Sequence, residues 1–489
     1  MNAQQEHRLA EIRECLAAGR AAEARQRLDD WYPSLSAAAL RAFGWQLDEL
    51  YGACAFARAD MEGAAYAYWQ AMQHDSHLRS QLEHLSSYLF CLHYLPGISD
   101  SELAKQHFLY GRLLQEIPRY AHPRDLHASH EKVRIGYLSA NFNRHAAADF
   151  MRPFFAQADR QRYETYAYAL GPADAVTDSL RGMADHWCSL YSMAPADAAA
   201  RIYADAPDIL VDLGGHSEGG QTLMLMAYRP APVQLSALGW VDTTGTAAMD
   251  YFLSDRCCAA ELSPENFSEQ IVRLERPHLC YAPLREMPPL PVYEPGQPIV
   301  FGSFNNFAKL TEPMLQCWCQ LLAQVPESRL VLRDTTALVS RRQALRERLL
   351  RLGAPLERIC LQGAAEDYLR AYAGIAIALD TYPYPGGATT CEALYMGVPV
   401  ITLSGTRHGS RLGASILGSL GLSALVAQTP EEYIEKAAAL SHDRLRLAKL
   451  HAGLRSRMEK AVLMDGADYM RHLEAAYDEI WHAWLQQRP

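Results

Sequence analysis

At 489 residues the chain is too long for one hydrophobic core, and a prior of about 100 to 200 residues per domain predicts roughly three units. Apolar residues make up 49% and charged residues 21%, the proportions of a globular protein, which excludes a disordered chain. The 46 basic side chains face 56 acidic ones, and a formal charge of -10 speaks against nucleic acid as the main partner.

From about residue 8 to 120 apolar positions recur at helical spacing with almost no β-rich run, which predicts an all-α N-terminal part. Within it, ACAFARADMEGAAYAYWQA (Ala53 to Ala71) sets small residues and a glycine where two packed helices approach closely, as in a tetratricopeptide helix pair. Leu16 to Leu28 is a fainter second copy. After the polar, proline-bearing stretch Pro118 to Glu131 the pattern changes to short β-rich runs alternating with helices. Runs at Val133 to Ser139, Tyr163 to Leu170, Asp208 to Leu213, Val233 to Leu238, Tyr251 to Ser254 and Ile271 to Leu274 predict one doubly wound sheet. Pro283 to Pro298 reads as an extended linker. A second sheet is expected from Ile299 to Phe304, Arg329 to Leu332, Arg358 to Leu361, Ile375 to Leu379 and Val398 to Leu403. The expected domains are therefore 1–128 (helical), 129–290 and 291–489 (both Rossmann-like), the last two joined by a hinge and leaving a cleft between them. Asp465 to Gln487 carries Tyr469, Leu473, Tyr477, Ile480 and Trp484 at three- and four-residue steps, which predicts a packing helix.

No apolar run of about 18 residues occurs, and MNAQQEHRLAEIRE lacks the basic-then-apolar build of a signal peptide, so no membrane span and a cytoplasmic location are expected. No CxxC pair occurs among the eleven cysteines, and Cys257–Cys258 and Cys317–Cys319 are too close for zinc-finger or redox spacing. Reduced thiols and no metal site are expected.

In open α/β sheets ligands bind beyond the carboxyl ends of the strands, where loops and helix N-termini expose backbone amides. The loop after Ile375 to Leu379 runs DTYPYPGGATT into a helix at Cys391. Its small residues let the backbone approach a diphosphate. Ala388, Thr389 and Thr390 offer amides and two hydroxyls at the positive end of the helix dipole, and Glu392, one turn in, can meet ribose hydroxyls. On the same sheet edge the loop Phe304 to Lys309 sets out Asn305, Asn306 and a lysine able to neutralise a departing diphosphate without a metal. In the first sheet, His145 and His216 follow strands and are candidates for the acceptor side.

In this order, VRIGYLSANFNRH, DILVDLGGHSEGG, YRPAPVQLSALGW, FGSFNNFAKL, ALDTYPYPGGATTCEALYMGVPVITL, SRLGASILGSLGL and LMDGADYMRHLEAAYDEIW resemble the O-linked N-acetylglucosamine transferase family, in particular its bacterial Spindly-type members. The resemblance runs from about residue 75 to 486. It implies a GT-B fold of two Rossmann-like domains behind a tetratricopeptide-like segment, no catalytic metal or resident cofactor, and inverting transfer of a sugar from a nucleotide donor, UDP-GlcNAc above all, to Ser or Thr of a protein or peptide. It also implies roles. His145 acts at the acceptor hydroxyl, Lys309 on the leaving diphosphate and Asn306 on the donor, while Thr389 and Thr390 hold the pyrophosphate and Glu392 the ribose. Two donor-site histidines of the animal enzyme correspond to Tyr368, which can still stack on a base, and to Gly387. The family's Tyr-Pro-Gly-Thr-Thr-Gly turn reads Trp240-Val241-Asp242-Thr243-Thr244-Gly245, making Asp242 and Thr243 acceptor-side candidates. Two alternatives stand beside this reading: the same fold with GDP-fucose, UDP-glucose or an asparagine acceptor, and a helical adaptor whose transferase part has decayed.

Overall fold

The computed structural model describes residues 2–486, so Gln487, the expected end of the last helix, lies outside the described residues. By packing, the chain divides into two compact units. One joins the N-terminal helices through Ile98 to Pro288–Gly405 and Ala424–Arg455; the other is built from Ser99–Met287, Thr406–Ser423 and the chain from Ser456 onward. Among the described residues no helix is long and apolar enough to cross a membrane.

The N-terminal part is all helix, in successive helix–turn–helix pairs. Ala3–Ala17 and Ala21–Trp31 flank a turn at Gly19, and Ala37–Ala57 and Met61–His74 flank one at Ala59, whose φ values are +72° and +62°. The predicted pair therefore exists, and so does its fainter copy. Ser36 and Asp60 cap the second pair, accepting from the amides of Ala39 and Gly63. Small residues let these helices close up: a Cβ on Gly52 would stand 2.8 Å from the Tyr68 ring. Leu9, Ile12, Leu28, Trp31, Leu47 and Leu50 fill the core between the helices.

In the second unit the strands are β1 (Val133–Ser139), β2 (Tyr163–Ala169), β3 (His186–Ser189), β4 (Ile209–Asp212), β5 (Val233–Ser236), β6 (Tyr251–Asp255) and β7 (Gln270–Leu274). All pair in parallel, in the order β3-β2-β1-β4-β5-β6-β7. The pattern reading missed β3 for a physical reason. It is a half-exposed edge strand, His-Trp-Cys-Ser, with no apolar run to mark it. The C-terminal helix Gly466–Gln486 covers this same sheet. Tyr469, Leu473 and Tyr477 share a core with Tyr137, Phe154 and Leu235, and Tyr163 donates to Asp478 at 2.7 Å.

The other sheet comprises β8 (Val300–Ser303), β9 (Arg329–Arg333), β10 (Ile359–Gln362), β11 (Ile377–Leu379), β12 (Val400–Leu403) and the two-residue β13 (Val426–Ala427), again all parallel, in the order β10-β9-β8-β11-β12-β13. Both sheets thus carry the doubly wound 3-2-1-4-5-6 order, which reverses direction between β1 and β4 and between β8 and β11. Loops leaving those four strands border the switch points where such sheets bind ligands, and they hold His145, His216, Lys309 and the Gly387–Thr390 turn.

One close approach fixes the first-sheet unit. The helix Asp100–Leu113 lies so near the Thr243–Thr246 turn that a Cβ on Gly111 would come within 1.9 Å of the Gly245 carbonyl oxygen. Gly111→Ala is therefore expected to cost about 1–3 kcal/mol by overpacking, read as a lower Tm. Gly453→Ala, where an added Cβ meets nothing within 4 Å, serves as the control that keeps the wild-type Tm or raises it. Equal Tm values for both variants would contradict the close approach.

Candidate active site

The loops after β8 and β11 are tied into one structure. Lys309 Nζ donates to the Pro385 carbonyl at 2.8 Å and sits 4.5 Å over the Tyr384 ring. Thr389 Oγ1 donates to Asn305 Oδ1 at 3.0 Å, which joins the helix Ala388–Tyr395 to the loop that carries Lys309. The amides of Ala388, Thr389 and Thr390 open that helix, where an α-helix has no internal carbonyl partners and the dipole favours an anion. A Cβ on Gly386 would lie 2.4 Å from Thr389 Oγ1 and 2.7 Å from Thr390 Oγ1, so a side chain there would displace both hydroxyls. Lys309, Thr389 and Thr390 are thus brought together around one glycine turn.

Beneath the turn lies Asp380, 1% exposed, which accepts from the Thr381 and Gly386 amides at 2.9 and 2.6 Å and from Thr402 Oγ1 at 2.8 Å. Burial pushes the Lys309 ammonium down to about 8, and the Asp380 charge opposes that shift. Asn306 accepts from the Ala308 amide at 3.0 Å and from Arg341 at 2.6 Å. Tyr368 donates its hydroxyl to Glu392, so the two side chains expected at the base and the ribose are hydrogen-bonded to each other. Tyr372 donates to the Thr389 carbonyl at 3.2 Å. Asp380, Tyr384, Tyr372 and Arg341 are participants that sequence reasoning did not single out. Asp380 and Tyr384 stood in the quoted loop, whereas nothing local marks Tyr372 or Arg341.

In the first-sheet unit, His145 is exposed on the loop after β1, and its Nδ1 accepts from the Ala147 amide at 3.2 Å. The neutral ring then carries its proton on Nε2 and presents a donor. His216 is 1% exposed and packs against His107, Tyr110 and Trp240, with Nε2 at 3.0 Å from the Thr244 carbonyl. Burial pushes its pKa down to about 3. It braces the turn from inside. Thr243 is also buried, donating to Glu269 at 2.7 Å, and Glu269 accepts the Thr244 amide at 2.7 Å as well. Asp242 accepts the Thr243 amide at 2.8 Å. Burial pushes its carboxyl up to about 7, Asp100 and Glu269 adding to the shift while the Thr243 amide and Arg407 oppose it.

Two more groups bring metal-ligating atoms within 4.8 Å of one another: Cys258, His278 and His408, and His127, His130 and Asp208. In both groups the histidines are engaged in hydrogen bonds. His278 donates to Asp255 at 2.6 Å, His408 donates to the Val241 carbonyl at 3.0 Å and accepts from Ser254 at 2.9 Å, and His127 and His130 donate to Asp208 at 2.8 and 2.9 Å.

Residues 111–281 and 291–473, covering both sheets, match the profile of glycosyl transferase family 41. The chain belongs to that family. Its motifs are those of the O-linked N-acetylglucosamine transferases, and its fold is GT-B, two Rossmann-like domains behind a tetratricopeptide-like helical segment. It is 34% identical over 409 residues to the tomato (Solanum lycopersicum) protein named "Probable UDP-N-acetylglucosamine--peptide N-acetylglucosaminyltransferase SPINDLY", a match covering 81% of this chain and 44% of that one. It is 27% identical over 387 residues to the Arabidopsis thaliana protein of the same description named SEC, covering 75% and 39%. The chain spans less than half the length of these curated relatives. A solved structure of a mutant O-GlcNAc transferase from Thermobaculum terrenum superposes with a TM-score of 0.83 at 28% identity, covering 98% of each chain.

Lysine is cationic below its pKa and neutral above it, so an anion bound at Lys309 loses its partner as pH rises through about 8. Affinity for a nucleoside diphosphate, measured by calorimetry, is expected to weaken above that pH by up to roughly tenfold per unit. The same titration on Lys309→Ala should show no such fall, and a fall that persists in the variant would place the titrating group elsewhere.

Proposed function

We propose that this family 41 chain is a protein glycosyltransferase that moves N-acetylglucosamine from UDP-GlcNAc to a Ser or Thr hydroxyl of a protein or peptide, by a single displacement with inversion and without a metal. The observation that carries the reading is the tie between Lys309 and the turn opening the Ala388–Tyr395 helix. As the glycosidic bond breaks, negative charge grows on the departing diphosphate. A preorganised ammonium and the opening amides of a helix, already held in place, stabilise that charge more than they stabilise the intact donor. Thr389 adds its amide, its hydroxyl proton being given to Asn305, Thr390 adds an amide and a hydroxyl, Asn306 contacts the donor, Glu392 accepts from the ribose and the Tyr368 ring stacks on the base. His145 hydrogen-bonds the acceptor oxygen through Nε2–H, the hydroxyl proton passes to the departing diphosphate as the glycosidic bond forms, and Asp242, Thr243 and His216 shape the acceptor-side turn. The names of the plant relatives support the donor and the peptide acceptor. The eleven free thiols suit a reducing compartment, and we place the protein in the cytoplasm.

A second reading keeps the chemistry and changes the donor. It is favoured by the Tyr368–Glu392 hydrogen bond, which gives the nucleoside end a contact of its own. Incubation with UDP-GlcNAc, UDP-glucose and GDP-fucose, scored by release of the nucleoside diphosphate, separates the donors. Lys309→Ala is expected to lower turnover of the preferred donor by roughly two orders of magnitude, the usual loss for one preorganised charge contact. Near-normal turnover in that variant would remove Lys309 from the mechanism, and a chain that binds none of the three would be the non-catalytic adaptor.

A further inference from the structure

Arg341, on the helix Val339–Arg351, is 3% exposed, and its guanidinium joins the N-terminal helices to the Lys309 loop. Nη1 donates to Asn306 Oδ1 at 2.6 Å, while Nε and Nη2 donate to the carbonyls of Ala57 and Phe56 at 3.3 and 3.2 Å. Those carbonyls end the helix Ala37–Ala57, at the negative end of its dipole; Phe56 also accepts the Ala59 amide at 3.0 Å. Asp334, 3.8 Å from the same guanidinium, accepts the Phe307 amide at 3.1 Å, so the loop is pinned through a side chain at Asn306 and through the main chain at Phe307. A second contact comes from the end of the helical segment. Tyr94, 4% exposed, stacks on Tyr384 with ring centroids 5.1 Å apart and planes 10° apart, and Tyr384 is the ring under Lys309 Nζ.

A buried arginine at a helix end is ordinarily a packing feature, and a stacked tyrosine pair likewise. Here both end on the two groups that hold Lys309: the loop it sits on and the ring it sits over. Arg341 supplies a planar fork with donors in fixed directions, which lets one side chain serve two carbonyls and an amide oxygen at once.

We propose that the helical segment is a structural part of the donor site, with Arg341 and Tyr94 as positioning residues that fix Lys309 through Asn306 and Tyr384. This rests on the reading of Lys309 as the charge partner of the leaving diphosphate. Misplacing such a group by about 1 Å is expected to cost turnover far more than donor affinity.

The test is a cycle in the full chain, with kcat, donor KM, Tm and hydrogen exchange of the Phe307–Lys309 amides measured for Arg341→Met, Arg341→Lys, Lys309→Ala and the Arg341→Met/Lys309→Ala double variant. Arg341→Met is expected to lower kcat by about tenfold or more with a smaller change in donor KM, and to speed exchange at those amides. Arg341→Lys, which keeps a cation without the fork, should recover part of kcat. In the Lys309→Ala background Arg341→Met should lower kcat no further, because the two act as one unit. Equal kcat losses in both backgrounds, or a lower Tm with kcat and exchange unchanged, would overturn the proposal. Should Arg341→Met fail to fold, Tyr94→Leu takes its place in the cycle, and Tyr94→Phe, which keeps the ring, should restore most of the loss. Exchange needs no substrate. Faster exchange in the variant, beside a wild-type chain that turns over no nucleotide sugar, would sink the glycosyltransferase reading and leave the pinning itself standing.

Discussion

A carboxylate taken out of water must be compensated where it stands, and Asp380 is compensated by the loop it holds. Two amides and a threonine hydroxyl converge on it, and Lys309 contributes from above. Burial raises the carboxyl pKa; every one of these contacts works the other way. The shape of the glycine turn and the seating of its lysine follow from that compensation. Gly386 is drawn in through its amide, which sets the Thr389 and Thr390 hydroxyls about the place where its Cβ would be. The charge below also helps Lys309 remain an ammonium although burial lowers its pKa.

The first sheet repeats the device at the equivalent position. Asp212, at the end of β4, is fully buried and accepts from the Gly214 amide at 2.9 Å and the Gly215 amide at 3.0 Å. β4 and β11 occupy the same place in the 3-2-1-4-5-6 order, each beyond the switch point. In each sheet a carboxylate at the strand's end, the last residue of β4 and the first after β11, folds the next loop back over itself, a side-chain-to-backbone turn that uses aspartate's short reach. A third buried carboxylate, Glu269, holds the Thr243–Thr244 turn by the same means. Buried carboxylates and the amides they gather thus hold each of these loops.

This explains what the sequence disclosed and what it withheld. Small residues after a β-rich run are a local signal, and they led to Gly387, Thr389 and Thr390, which do open a helix beside Lys309. The tetratricopeptide-like pair was equally local, since Gly52 and its neighbours mark a close helix crossing. His216 shows the limit of such signals. Its place after a strand made it an acceptor-side candidate, but Gly215, at a φ of +57°, packs so tightly that a Cβ would lie 2.3 Å from Trp240 Cβ, and the histidine is carried inward. Arg341 lies 35 positions from Asn306 and 284 from Ala57, and no periodicity connects residues so far apart. The C-terminal helix declared its apolar face by spacing, but spacing does not name the sheet that covers it.

The hydrogen bond between Tyr368 and Glu392 bears on how such a site would choose a nucleotide. A carboxylate has lone-pair sites for about four donors, so one from Tyr368 is compatible with a ribose hydroxyl on the same group. The phenol holds the carboxylate in a fixed direction, which lowers the ordering cost a sugar hydroxyl would otherwise bear on arrival. The face of the same ring remains suited to stacking, and stacking discriminates weakly between bases because every base has a π-face. Selection of the nucleobase would then fall to hydrogen bonds at its edge, where a phenol whose proton is given to Glu392 can accept but not donate. On the proposed assignments, a tyrosine at this position would leave base choice looser and add a hold on the ribose carboxylate, while the phosphate end, built on Lys309 and the glycine turn, would be indifferent to both.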